Sequence, residues 1–206
     1  MAEWECSRDL AGYLTDSQSL PSSSVSQLIA RNPDQLDIIE LGCGRGSPCC
    51  SLVRVLRTGG FLGKIHACFQ DMDQGTIENV TKPFVFNELA DLLHISSPGL
   101  EVEFVGTAWD DFAVPSGRYH IVLSSECVYR EDLFAPHAKI VEKALSEDGL
   151  AFVAAKRYYF GCGGGTIGFS EFLEATFANL QVELVKTIEN GMSNTREILS
   201  VSHRSS

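Results

Sequence analysis

One stretch limits the fold more than any other: Asp37-Ile-Ile-Glu-Leu41 passes directly into Gly42-Cys-Gly-Arg-Gly46, after which Leu52, Val53 and Leu56 resume at helical spacing. A short apolar run, a glycine turn and a helix form the strand–turn–helix unit of nucleotide-binding α/β folds. The alternation then repeats. Lys64–Gln70 reads as a second strand ending at Asp71, and 74–93 as mostly helical with a kink or break at Pro83. Glu101–Val105 and Tyr119–Ser124 read as the third and fourth strands. Leu133, His137, Ile140, Val141 and Leu145 mark a helix that should stop near Gly149, before a fifth strand, Leu150–Ala155. Phe169, Phe172, Leu173 and Phe177 give another helix an apolar face, and Val182–Ile188 with Arg196–Val201 flank Asn190-Gly191 as a closing hairpin. Upstream, Leu10, Tyr13 and Leu14 make residues 5–16 an amphipathic helix, and Ser17–Ser26 a loop leading into a second helix. Strands alternating with helices at this spacing predict an α/β, doubly wound fold with a mainly parallel sheet covered on both faces. Residues 1–206 are expected to form a single domain, with an N-terminal helical segment over 1–30 and a core over 36–203.

Composition narrows the partners. Sixteen basic against 27 acidic residues give a formal net charge of −11, the opposite of the footprint of a protein that grips nucleic-acid phosphates. The acidity serves solubility or attracts a basic protein. Seven cysteines without a C-x-x-C pair read as free thiols of a reducing compartment, and the five scattered histidines suggest no metal site. With neither a signal-like start nor a window of about 18 apolar residues, the expectation is a cytoplasmic or nuclear monomer away from membranes.

The glycine turn is not a G-x-G-x-x-G dinucleotide fingerprint, because Ser47 stands where the third glycine would let the helix pack against its strand. Glycines occupy alternate positions instead, with Glu40 two residues before the first. Such a turn suits a ligand without phosphates, approached by backbone at Gly42, Cys43 and Gly44 and faced by a carboxylate from Glu40. S-adenosylmethionine has that profile; other nucleotides or a plain tight turn are the alternatives. Asp71, closing the next strand, stands where a carboxylate accepts ribose hydroxyls, or else caps the following helix.

Trp4-Glu5-Cys6, Glu40-Leu-Gly-Cys-Gly44, Phe69-Gln-Asp71, Ser124-Ser-Glu-Cys-Val-Tyr129 and Lys156-Arg-Tyr-Tyr-Phe-Gly-Cys-Gly-Gly-Gly165 together resemble the eukaryotic protein-histidine N-methyltransferases, in the same order over nearly the whole chain. These belong to the seven-strand methyltransferase-like enzymes. The resemblance implies seven strands with the last antiparallel, S-adenosyl-L-methionine as donor, and as substrate a histidine of a large-subunit ribosomal protein. The acid-x-x-Tyr pair, Glu126 and Tyr129, is shared with the lysine-methylating branch, whereas the tract from Lys156 to Gly165 favours histidine. The chain departs from the family at Ser47-Pro48-Cys49 and at Met72-Asp73. Trp4 also stands almost at the start, where the family carries an extended N-terminal segment.

Methyl transfer from a sulfonium asks the protein to align an uncharged nucleophile and exclude water. Imidazole, with an ordinary pKa of about 6.5, qualifies without a strong base. An acceptor that fixes its tautomer helps. Glu126 is the candidate for that role, or else a ligand of the donor's ammonium or a cap; Tyr129, one turn on if the segment is helical, would frame the ring or pack in the core. Tyr158, Tyr159 and Phe160, after strand five, would contact substrate, and the glycines behind them would let the loop approach a peptide or move as a lid. Trp4, Met72, Trp109 and Ser124 complete the expected donor site, with Asp110 and Asp111 as further adenine contacts or solvated charges. His120 reads as structural. A lysine methyltransferase and a non-catalytic binding module with the same fold remain open alternatives.

Overall fold

A computed structural model describes residues 3–16, 24–93, 99–189, 191 and 194–204. His94, Asn190 and the 17–23 part of the expected loop lie outside the described residues. Seven strands form one sheet: β1 (Gln35–Leu41), β2 (Lys64–Asp71), β3 (Leu100–Gly106), β4 (Tyr119–Ser125), β5 (Leu145–Lys156), β6 (Leu180–Ile188) and β7 (Arg196–His203). Their order is β3-β2-β1-β4-β5-β7-β6, with β7 antiparallel to both β5 and β6 and the other neighbours parallel. The last strand is therefore antiparallel, as expected.

Alternate residues of the central strands feed two apolar layers. Leu36, Ile38, Ile121, Leu123, Phe152 and Ala154 face α1 (Glu5–Thr15), α2 (Ser24–Arg31) and α3 (Ser47–Thr58). Ile39, Leu41, Val122, Ala151, Val153 and Ala155 face α7 (Phe134–Ala144) and α8 (Thr166–Thr176). Between β2 and β3 the chain is helical in pieces: α4 (Gln74–Thr76), a π-helical turn (Ile77–Thr81), α5 (Lys82–Glu88) and α6 (Ala90–Leu93). The expected disturbance at Pro83 takes this form, a wider turn just ahead of the residue that has no N–H to donate. Among the described residues no helix is long and apolar enough to cross a membrane.

One expectation needs correcting, and one conditional reading is decided. The helix before β5 ends at Ala144, and Gly149 lies inside the strand, where the pairing with β4 jumps from Tyr119–Leu145 to Ile121–Leu150. Backbone crowding there explains the glycine: a Cβ at 149 would stand 3.0 Å from the Tyr119 carbonyl oxygen. The segment after β4 is not helical either. It leaves the strand through Glu126 at φ +57°, the one non-glycine residue with positive φ among the described residues, so Tyr129 is not one helical turn beyond it.

The chain leaves β1 toward β2 and β3, and leaves β4 toward β5. Their carboxyl ends thus flank the topological switch of the sheet, where open α/β folds bind ligands.

Candidate active site

The glycine turn occupies this switch. Gly42, Gly44 and Gly46 have φ of +58°, +50° and +84°, a left-handed region that costs other residues about 1–2 kcal/mol. Their surroundings differ. A Cβ at Gly42 would stand 2.6 Å from the Cys127 sulfur and one at Gly46 2.7 Å from the Phe69 ring, whereas nothing lies within 4 Å of a Cβ at Gly44. Gly42 and Gly46 are needed for packing, and Gly44 leaves open space at the crevice. Cys43 contributes backbone alone: its N–H donates to the Gln70 carbonyl at 2.8 Å, while its buried thiol lies 3.9 Å from the Thr81 hydroxyl.

Glu40 lies beneath the turn and is fully buried. Its Oε2 accepts the Cys49 N–H at 2.9 Å at the start of α3, and its Oε1 has no protein partner. Burial, with Glu3 and Asp71 adding negative charge, pushes its carboxyl up to about 8 against the single opposing N–H bond. Asp71 Oδ2 accepts the Gly44 N–H at 3.0 Å and Oδ1 the Asp73 N–H at 3.1 Å. Asp73 is the residue that caps the next helix, accepting from Gly75 and Thr76, so the capping alternative for Asp71 falls away. Met72 is 75% exposed beside it.

Gln70 was not foreseen. Its buried Oε1 accepts from Trp109 Nε1 at 2.9 Å and from Gly42 N at 3.2 Å, and its Nε2 donates to the Thr107 carbonyl at 2.6 Å. One amide thereby ties the glycine turn to the loop after β3. An uncharged polar residue between the buried Phe69 and the strand-ending Asp71 was the available signal. Trp109 accordingly stands half-buried beside Gly42, edge-on to His137 at 5.2 Å, and Asp110 and Asp111 are exposed.

Ser124 corrects the expected donor set. Its side chain faces the α7 layer, is buried, and lies 2.9 Å from His137 Nε2. Burial holds that imidazole down at about 3, so it stays neutral. His120 is structural, as read: its Nδ1 accepts the Asp37 N–H at 3.0 Å.

Across the switch, Glu126 is fixed by its N–H, which donates to the Ala154 carbonyl at 2.9 Å. Its Oε2 accepts the Tyr159 hydroxyl and its Oε1 is buried without a protein partner. The aromatic trio after β5 divides. Tyr159 turns inward, edge-on to Tyr129 at 6.3 Å, while Tyr158 and Phe160 pack edge to face at 5.1 Å and are 46% and 77% exposed. Trp4, at the start of α1, is 65% exposed and caps nothing with its side chain.

The glycine run 163–165 is no open lid. Gly163 pairs with Arg130 in an isolated antiparallel bridge, the Gly165 N–H donates to Val128 O at 2.9 Å, and a Cβ on Gly164 would overlap the Tyr129 and Arg130 backbone. The glycines admit the chain's own backbone.

This sheet order, with a glycine turn at the β1–β4 switch, defines a class I, Rossmann-like methyltransferase fold. Solved structures agree. The citrinin polyketide synthase CMeT domain superposes with a TM-score of 0.60 at 15% identity, over 85% of this chain and 49% of that one. The magnesium protoporphyrin IX methyltransferase of Synechocystis, crystallised with bound SAH, gives 0.58 at 12% identity over 99% and 90%. No family model matches the chain. Among curated proteins it is similar to the histidine protein methyltransferase 1 homolog of Dictyostelium discoideum, 27% identical over 98% of this chain and 57% of the relative. The protein of the same name from Bos taurus is 29% identical over 83% and 47%. The resemblance read from the motifs is thus met by eukaryotic relatives of that name, about half of whose length the chain spans.

Proposed function

We propose that this chain transfers a methyl group from S-adenosylmethionine to a histidine side chain of a basic protein. The observation that carries the reading is the division of the crevice: Glu40, Gly44 and Asp71 on the β1–β2 side, and Glu126 with a free buried oxygen on the β4–β5 side. The donor side fits a cationic, phosphate-free nucleoside. Glu40 Oε1 lacks a partner and can give up its proton to face a cation, Gly44 leaves room for close approach, and Asp71 stands at the rim for ribose hydroxyls.

When bound, the donor supplies an electrophilic methyl carbon on a sulfonium. The chain's own residues orient the acceptor and exclude water. Glu126 Oε1 accepts the N–H of the target imidazole, so the ring's other nitrogen presents its lone pair. That pair forms the N–C bond as the C–S bond breaks toward sulfur, and the ring becomes a methylimidazolium that Glu126 stabilises until its N–H proton passes out through the same oxygen. Tyr129, Tyr158 and Phe160 line the approach as substrate contacts, with Trp4, Met72 and Trp109 around the donor.

The finer substrate we propose is a large-subunit ribosomal protein, met in the cytoplasm or nucleus. The motif resemblance and the charge of −11, which attracts basic proteins, support it. Incubation with methyl-labelled donor and cell extract, followed by mapping of the label, tests the reading. Labelled histidine in a basic protein is expected; labelled lysine, or no transfer, overturns it.

A further inference from the structure

Tyr159 was expected to touch substrate, yet its hydroxyl is spent inside the protein. The Lys156 N–H donates to that oxygen at 3.2 Å, and the single phenolic proton goes to Glu126 Oε2. The ring cannot swing away. Tyr129 stands edge-on to it, Lys156 Nζ lies 5.6 Å from its centroid, and the Tyr159 N–H donates to Gly164 O at 2.9 Å. Burial and the Glu126 bond push the phenol well above its ordinary range, so it remains a donor at any physiological pH. The buried Cys6 thiol also feels Glu126, whose charge acts with burial to keep that thiol protonated.

Glu126 therefore has two inequivalent oxygens: Oε2 is occupied by a fixed hydroxyl, and Oε1 is buried with no protein partner. A carboxylate free to rotate would accept an imidazole N–H in several poses and offer either ring nitrogen to the donor. A pinned one accepts along a single direction. Resting on the histidine reading above, we infer that Tyr159 is a positioning residue that selects which ring nitrogen is methylated, by reserving Oε1 of Glu126 as the acceptor. Glu126 is held from behind as well, by its N–H to Ala154 O at a backbone angle that only a determined surrounding maintains.

The test uses the full chain with acid-extracted ribosomal proteins as the substrate pool. Product is hydrolysed to amino acids, the two methylhistidine isomers are separated, and S-adenosylhomocysteine affinity is measured by calorimetry. The wild type is expected to make one isomer. Tyr159→Phe should make both, with turnover down roughly 10- to 100-fold and S-adenosylhomocysteine affinity within about twofold of wild type, as for a group remote from the donor. Incorporation of 3-fluorotyrosine at 159, which keeps ring and hydroxyl, should restore the single isomer. Wild-type isomer purity and turnover in Tyr159→Phe would overturn the inference alone, as would loss of S-adenosylhomocysteine binding in both variants, which would mark a merely structural ring. Absence of methylhistidine from the wild-type product would remove the histidine reading and this inference with it.

Discussion

Glu40 holds a carboxylate in the sheet interior with one oxygen bonded and the other unmatched. Because burial raises it to about 8 from an ordinary 4.5, the ligand-free protein keeps it protonated at pH 7. A cationic donor favours the charged form, so binding at pH 7 is expected to release a proton. Calorimetry in buffers of different ionisation enthalpy should show this release in the wild type and lose it in Glu40→Gln; a wild-type heat independent of buffer would refute it. The glycines call for a separate comparison. Gly42→Val meets the Cys127 sulfur and should destabilise the fold as well as the site, whereas Gly44→Ala meets no atom. Thermal melting should show Gly44→Ala losing about 1–2 kcal/mol from its left-handed backbone, with donor affinity falling further because its methyl enters the crevice. Equal donor affinity would mean that the ligand approaches elsewhere.

At the scale of elements, apolar runs, helical periodicity and glycine turns located every strand and the principal helices, since all three are local signals. Asp71 closes β2, while Gly44 and Glu126 follow the ends of β1 and β4; the strand ends and the acid-x-x-Tyr motif marked these positions in the sequence. What escaped depended on contacts distant in sequence. Ser124 sits in a motif, but its side chain falls on the His137 face because strand residues alternate. Tyr159 differs from Tyr158 and Phe160 only through a partner 33 residues away. The glycine run, read as open to a peptide or as a lid, is crowded by the chain's own backbone, at 128–130 for Gly164 and at 157–158 for Gly165. Gly164→Ala should therefore cost about 1–3 kcal/mol, the scale of overpacking a tight contact, and lower turnover by displacing Tyr129 and Tyr159. Calorimetric melting checks this; a neutral Gly164→Ala would reopen the lid.

The whole molecule should show two of its buried carboxyls, Asp37 and Glu40, as opposite slopes in its stability. Asp37 is pushed up by burial, yet hydrogen bonds from His66, Gln35 and Arg118 hold it down at about 2. Its contribution is present above an ordinary 3.8 and lost as pH falls through 2. Glu40 works the other way: its contribution is complete below 4.5 and lost as pH rises through about 8. Melting of the ligand-free protein should thus decline between pH 5 and 9, and Glu40→Gln should flatten that decline.

The division of the crevice into a donor half and an acceptor half is most directly tested by measuring donor affinity and turnover together in Asp71→Ala and Glu126→Gln. Asp71→Ala is expected to weaken donor binding by about 1–3 kcal/mol, the scale for losing a charged hydrogen-bond acceptor. Glu126→Gln should keep donor affinity and lose roughly 10²-fold in turnover, since the amide retains the shape but not the charge that stabilises the imidazolium. Lost donor binding in Glu126→Gln, or unchanged donor binding in Asp71→Ala, would contradict the account.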